Sequence, residues 1–349
     1  MFLGIEIGGT KLQLGVGDGR RPELAAWQRL DIDARRGAEG ILAQIQRAAG
    51  GLIQRFPVTR IGIGFGGPVD TASGRVLLSH QVDGWQDFEL AAWCHRTLGV
   101  HAMLGNDCDS AALAEARFGA GAGKQTVFYV TVGTGIGGGF VKQGILHGAG
   151  RPAAAEIGHL RPGLDADRPA VTVESLASGP GIAAAAKACA RGAVGWPLRA
   201  ESPSGPLGSG TRDSRSATAE RTEQADRREL VELAGGDLEN LTAKLVGQAA
   251  AGGNRLAIGV LERACQVLGW AIAQMITLLA PEIVVVGGGV SLLGEEMFFA
   301  PLRQAVQRYV FPPLVGAYEI VPAALGEWVV VHGAIGLAAE QRGVPEGPA

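Results

Sequence analysis

The sequence predicts an α/β protein of two domains with a ligand crevice between them. Apolar, strand-like runs alternate with helical patterns along the chain. Glycine clusters recur where the strands end, and the strand, glycine turn, strand pattern that opens the chain returns near its middle. A length of 349 residues suits two domains. Glycine numbers 55, about double the usual share, without a G-X-Y period. Such glycines serve tight turns or close approach of the backbone to a ligand.

Phe2 to Ile7 is an apolar strand entering Gly8-Gly9-Thr10-Lys11, and Leu12 to Val16 resumes the strand pattern. Gly37 to Phe56 places apolar residues at helical spacing, and Arg60 to Phe65 is a short strand ending in Gly66-Gly67-Pro68-Val69-Asp70. Phe88 to Leu98 reads as helix and His101 to Leu104 as strand. Gly105-Asn106-Asp107 follows, then an alanine-rich helix from about Ser110 to Phe118. In the second half, Thr126 to Val132 is a strand, Gly133 to Gly139 a turn, and Phe140-Val141 the start of the return strand. This repeats the opening hairpin as an internal duplication. Thr172 to Ala190 predicts one or two helices, interrupted around Gly179-Pro180-Gly181. Arg191 to about Gly236 is poor in large apolar residues. It is expected to be a surface insertion, mobile through Ser216 and helical thereafter. Leu256 to Leu279 forms a long helix stopped by Pro281, and Ile283 to Val286 is a strand into Gly287-Gly288-Gly289. A strand near Tyr318 to Pro322 and a last helix from about His332 to Glu340 complete the pattern.

Composition narrows the function. Net charge is −3 with both signs interspersed, which gives no support to nucleic-acid binding. Apolar residues make up 47%, yet no stretch of 18 is continuously apolar and uncharged, so no membrane segment is expected. The chain runs at once into a buried-strand pattern, which leaves no room for a targeting peptide. Cys94, Cys108, Cys189 and Cys265 form no CxxC pair and read as reduced thiols of a cytoplasmic protein. Gly133-x-Gly135-x-x-Gly138 matches a dinucleotide fingerprint by spacing, but it continues into another apolar run instead of opening a helix. No P-loop is present either.

Phosphoryl transfer requires an oriented hydroxyl with a base, donors along the triphosphate and a metal ion. Gly8, Gly9, Thr10 and Lys11, with Gly133, Thr134, Gly135 and Gly137, can supply backbone N–H groups and hydroxyls from two sides of a cleft. Either segment alone reads equally well as an ordinary hairpin turn. Glu6, just before the first turn, can hold Mg2+ through water, or simply pair with a nearby cation. Asp107 lies between a strand and a helix, where an aspartate more often caps the helix than does chemistry. Asn106 can bind a sugar hydroxyl or serve as a cap. Glu156 and His159 are three apart, so a helical turn would face both one way. His159 with Asp165 and Asp167 is a solvated loop, not a metal site.

Taken together, the motifs resemble the ROK family of bacterial glucokinases, fructokinases, N-acetylhexosamine kinases and sugar-responsive repressors. The resemblance spans nearly the whole chain except the 191–236 insertion. It implies the actin-like ATPase (ribonuclease H-like) fold, with residues 1–118 plus 332–349 as one α/β domain and 119–331 as a larger one. It also implies ATP and Mg2+ as cofactors and a sugar as the substrate. Asp107 then corresponds to the catalytic base. Gly67, Gln81, Asn106, Glu156, His159 and Glu174 correspond to sugar-binding positions, and Gly287, Gly288 and Gly289 resemble the turn beside the nucleotide. A homodimer is the family's usual minimum assembly.

Three departures stand out. No cysteine lies between Cys108 and Cys189, so the family's structural zinc is not expected. Glu6 stands where most members have Asp, and Gln81 stands where many glucose-specific members have Asn. The alternative function is a non-catalytic sugar sensor, as in the repressors, but those carry a helix-turn-helix domain ahead of the first strand. The sequence does not separate glucose from fructose, mannose or N-acetylated hexosamines.

Overall fold

The computed structural model describes residues 1–79, 81–148, 151, 153–163, 168–192 and 213–340. The chain opens with strands β1 (Phe2–Ile7), β2 (Lys11–Gly17) and β3 (Ala26–Asp31), followed by helix α1 (Gly37–Arg55). Next come β4 (Arg60–Phe65), the short strands β5 (Val69–Asp70) and β6 (Arg75–Val76), α2 (Leu90–Leu98), β7 (Ala102–Asn106) and α3 (Asp107–Phe118). The second half begins with β8 (Thr126–Val132), β9 (Ile136–Lys142) and β10 (Ile145–Leu146). Helices α4 (Val173–Ala177), α5 (Gly179–Ala190), α6 (Asp213–Leu233), α7 (Ala243–Ala251) and α8 (Arg255–Leu279) follow. β11 (Ile283–Gly287), α9 (Ala300–Tyr309), β12 (Glu319–Pro322) and α10 (Val329–Ala339) end the described chain.

Two five-stranded sheets carry the molecule, ordered β3-β2-β1-β4-β7 and β10-β9-β8-β11-β12. In each, an antiparallel hairpin and a third antiparallel edge strand are followed by two strands parallel to the first. The duplicated hairpin is thus a duplicated sheet. Because ligands of such sheets bind beyond the carboxyl ends of parallel strands, β1, β4 and β7 of one lobe and β8 and β11 of the other mark where a site must lie.

Helix α10 covers the first sheet at unusually short range. A Cβ on Gly62 of β4 would fall on the Ala334 carbonyl, and one on Gly4 of β1 would fall on the Val331 carbonyl. Helix α3 crosses α10 just as closely, since Gly333 sits against the Ser110 carbonyl. A bridging core of Ala111, Ala112, Val127, Tyr129, Val285 and Val330 joins α3 and α10 to the second sheet. Helix α8 is long and apolar enough by composition to cross a membrane, but about two thirds of its most apolar stretch is buried here. It forms the centre of the second lobe's core, with Val260, Leu268 and Ile272 against Val284 and Val286 of β11.

Several boundaries differ from expectation. Helix α3 begins at Asp107 instead of Ser110, and α10 at Val329 instead of His332. The return strand β9 begins at Ile136, so Gly137, Gly138 and Gly139 are strand residues and the turn shrinks to Gly133–Gly135. Helix α6 starts at Asp213, so residues 213–216, expected to be irregular, are helical. Its Ala and Glu residues favour helix despite few apolar ones. Residues 193–212 of the expected insertion, and Asp165 and Asp167, lie outside the described residues. The helices α7 and α9, the edge strand β3 and the two-residue strands β5, β6 and β10 were not expected. β3 is an edge strand whose residues alternate between half-buried and exposed.

The glycine contacts are testable. Gly62→Ala should lower stability by about 1–3 kcal/mol through overpacking, read as a lower urea midpoint with an unchanged m-value.

Candidate active site

The junction of β7 and α3 is built by one side chain. Asn106 has extended backbone, and its Oδ1 accepts the N–H groups of Cys108 at 2.8 Å and Asp109 at 3.4 Å. It is therefore the N-cap. Its Nδ2 donates to the Gly67 carbonyl at 3.1 Å, tying the β4 loop to the same spot. Asp107 is accordingly the first residue of the helix, not its cap. Oδ1 of Asp107 accepts the Cys108 N–H at 2.8 Å, and Oδ2 faces Gly66, where a Cβ would lie 3.4 Å away. Burial holds the Asp107 carboxyl above the usual carboxylate range, against the lowering effects of the Cys108 N–H and the Lys11 ammonium.

Around Asp107 the structure gathers further carboxylates. Glu156 is raised by burial and by the charges of Asp107 and Glu174, with His159 opposing. Glu156 precedes a 3-10 turn at Ile157–His159, and the residue before it, Ala155, has φ 57°. That left-handed backbone costs about 1 kcal/mol in a residue with a Cβ and fixes the direction of entry into the turn. Glu174 Oε2 accepts the Ile136 N–H at 2.8 Å, and a Cβ on Gly135 would lie 2.7 Å from it. Glu174 therefore braces the second glycine turn.

Asp109 was not foreseen. Its Oδ1 is buried without a hydrogen-bond partner, and burial, with Glu156 and Asp107 adding to it, pushes its carboxyl up to about 7. The only signal in the sequence was its place two residues beyond Asp107.

The first glycine turn, residues 8–11, closes through the Gly8 N–H to the Lys11 carbonyl at 3.0 Å. Lys11 Nζ is 3.1 Å from Glu6 Oε1 and donates to Gln13 Oε1 at 2.8 Å. Glu6 Oε2 is buried with no hydrogen-bond partner, and burial pushes its carboxyl up to about 7 despite Lys11. An unpartnered carboxylate oxygen beside a phosphate-type turn fits a hard cation held directly or through water. Among the described residues, no group of three or more His, Cys, Asp or Glu side chains could hold a metal ion. Gln81 lies against Gly9, so the structure places it over the glycine turn.

The second turn opens onto a cavity of about 1090 Å³ in the second lobe. Gly133, Thr134 and Gly289 line it, with Gly179, Pro180 and Ala183 of α5 and Thr242, Val290 and Leu293. Nothing lies within 4 Å of a Cβ position on Gly133 or Gly289, so both present bare backbone to open space. The remaining glycines have other duties. A Cβ on Gly137 would meet the Cys108 sulfur, one on Gly287 the Tyr129 hydroxyl, and one on Gly288, with φ 89°, the Val132 backbone. At these three positions the lack of a Cβ lets helix α3 or strand β8 pack directly against the backbone.

The ROK family profile matches residues 2–341. The chain belongs to the ROK family. It is 30% identical to the glucokinase of Thermotoga maritima over 98% of each chain. It also superposes on the ROK family glucokinase of Streptomyces griseus in complex with glucose and AMPPNP, with TM-score 0.73, 28% identity, and 97% and 98% of the two chains covered. A ROK family transcriptional regulator homologous to the E. coli Mlc protein shares the fold at TM-score 0.74 and 20% identity, with 97% of this chain and 77% of the regulator covered. The actin-like, two-lobed fold implied by the ROK resemblance is the fold observed.

Asp109 should leave a mark on acid–base stability. Its folded pKa of about 7 exceeds the ordinary 3.8, so the unfolded chain loses that proton first as pH rises. Stability from this group is full below about pH 4 and is lost as pH rises through 7. Asp109→Asn should therefore flatten the fall in melting temperature between pH 5 and pH 8, as read by calorimetry.

Proposed function

We propose that this protein is an ATP-dependent hexose kinase that transfers the γ-phosphoryl group directly to a sugar hydroxyl, with Asp107 as general base. One observation carries the reading. A half-buried carboxylate begins helix α3 at the carboxyl edge of the first sheet, close enough to Lys11 to be shifted by its charge and close enough to Glu156 to shift that carboxyl in turn. The glucokinases to which the chain is similar over nearly its full length support the substrate class.

The sugar would enter between the lobes, beside Asp107, Asn106, Glu156 and His159. Asp107 accepts the proton of the attacking hydroxyl, and its raised pKa brings it nearer the operating pH, as a base requires. Asn106 keeps one Nδ2 hydrogen free after binding Gly67, enough for one sugar hydroxyl. Glu156 and His159 keep much of their side chains exposed, and their bonds to the ring would form as the lobes close. A sugar lacking one of those hydroxyls would leave buried groups unpaired, which is the physical source of selectivity.

The nucleotide base belongs in the second-lobe cavity, whose apolar wall of Ala183, Val290 and Leu293 suits a purine. Its phosphates would then run past Gly133 and Thr134 toward Lys11. Glu6, whose Oε2 lacks a hydrogen-bond partner, would hold Mg2+, which would supply charge neutralisation on the triphosphate. Closure excludes water, which otherwise competes as acceptor. The free cysteines fit a reducing, cytoplasmic setting.

The deciding experiment is an ADP-release assay over glucose, fructose, mannose and N-acetylated hexosamines, on wild type and Asp107→Asn. Turnover by the variant should fall by about 10²–10⁴-fold, with sugar binding retained. Near wild-type turnover would remove Asp107 from the chemistry. Sugar binding without phosphorylation of any panel member would favour a sensor.

A further inference from the structure

Two chain crossings join the lobes: residues 119–125 between α3 and β8, and residues 323–328 between β12 and α10. One side chain holds both. Glu115, in the last turn of α3, is fully buried. Its Oε2 accepts the N–H of Ala120 in the first crossing at 2.8 Å. Its Oε1 accepts the N–H groups of Ala324 and Leu325 in the second, each at 2.9 Å. Gly119 makes this possible, since a Cβ there would fall on Oε2. Arg117 on the same turn is engaged elsewhere, by the Gly336 carbonyl and by Glu340 Oε1.

Burying a carboxylate is costly unless its oxygens are satisfied. Three charge-assisted bonds from backbone donors satisfy this one. What an apolar residue could not do is bind two separate strands of chain at one point. The second crossing is also gripped from the first lobe. Trp328 packs on Trp27 of β3 with ring centroids 5.0 Å apart, and Arg29 pairs with Glu327 at 3.3 Å. Relative motion of the lobes must therefore turn about the Glu115 carboxylate or break its bonds.

We propose that Glu115 is the pivot of lobe closure, a positioning residue that couples a sugar bound between the lobes to nucleotide bound in the second-lobe cavity. The coupling rests on the kinase reading, whereas the pivot rests on hydrogen bonds that need no ligand. Glu115 touches no substrate. Its effect is on how the Asp107 edge of one lobe meets the Gly133 edge of the other.

Two variants test it. Glu115→Gln turns one acceptor into an amide NH2 facing an N–H, and Glu115→Asp keeps the charge but falls one methylene short. AMPPNP affinity is measured by calorimetry with and without saturating glucose, well below each protein's melting temperature. Hydrogen exchange of the 119–125 and 323–328 segments is followed in the ligand-free proteins. In wild type, glucose should tighten AMPPNP by about fivefold or more. In Glu115→Gln that factor should fall below about twofold, with AMPPNP affinity alone unchanged and exchange faster in both crossings. Should Glu115→Gln fail to fold, Glu115→Asp carries the same readings. A wild-type coupling factor in the variants, or no coupling in wild type, overturns the proposal. A wild type that phosphorylates no hexose sinks the kinase reading instead, and unchanged exchange in the variants then still overturns the pivot.

Discussion

The first lobe depends on how near α10 can come to the sheet beneath it. Backbone meets backbone at Gly4 and Val331, at Gly62 and Ala334, and at Gly333 and Ser110. Each contact is one Cβ wide, and a methyl group at any of them has no room. This proximity sets the height of α3 over the carboxyl edge of β4 and β7, and therefore where Asp107 stands. The packing elements are rigid, so the carboxylate is held by secondary structure and not by a loop, which suits a group that must be placed to a fraction of an ångström.

Electrostatics then works against that placement. Burial raises Asp107, Asp109 and Glu156 alike, the Asp107 charge raises the other two further, and Lys11 opposes the effect on Asp107. Lys11 is also claimed by Glu6 and Gln13. The site therefore holds more acid than its cations balance, with Asp109 Oδ1 and Glu6 Oε2 lacking hydrogen-bond partners. Such an arrangement is stabilised by ligands that bring hydroxyl donors and positive charge. That is the complement of a polyhydroxylated sugar and a metal-bound triphosphate.

Much of the fold was legible because it is local. Alternating apolar residues ending in glycine marked β1, β2, β4, β8 and β11, and the repeated hairpin pointed to the repeated sheet. Legibility failed where a glycine's reason lies in a distant element. Gly137 and Gly139 read as turn residues, yet they are strand residues making room for Cys108 and Ala112 of α3. Asn106 and Asp107 were found by their place between strand and helix, though which of them was the cap needed coordinates. Glu115 left no local sign, since its partners are backbone amides of which two lie some two hundred residues away. The cavity wall was hidden for a similar reason, being assembled from α5, the 239–244 segment and the loop after β11.

The contact between α10 and β1 also shapes how the chain reaches this structure. β1 to β7 leave the ribosome early, but the helix that seals their sheet comes only after the whole second lobe has been made. Until then the glycine-lined face of β1 and β4 lies bare, an apolar surface without a lid. The second lobe has its own core around α8 and can consolidate during that wait. Topologies that join distant segments fold slowly, and an unsealed sheet invites association with other chains. Loss of the last helical turn by truncation would thus be felt at the start of the chain, in the sheet whose carboxyl edge carries Asp107.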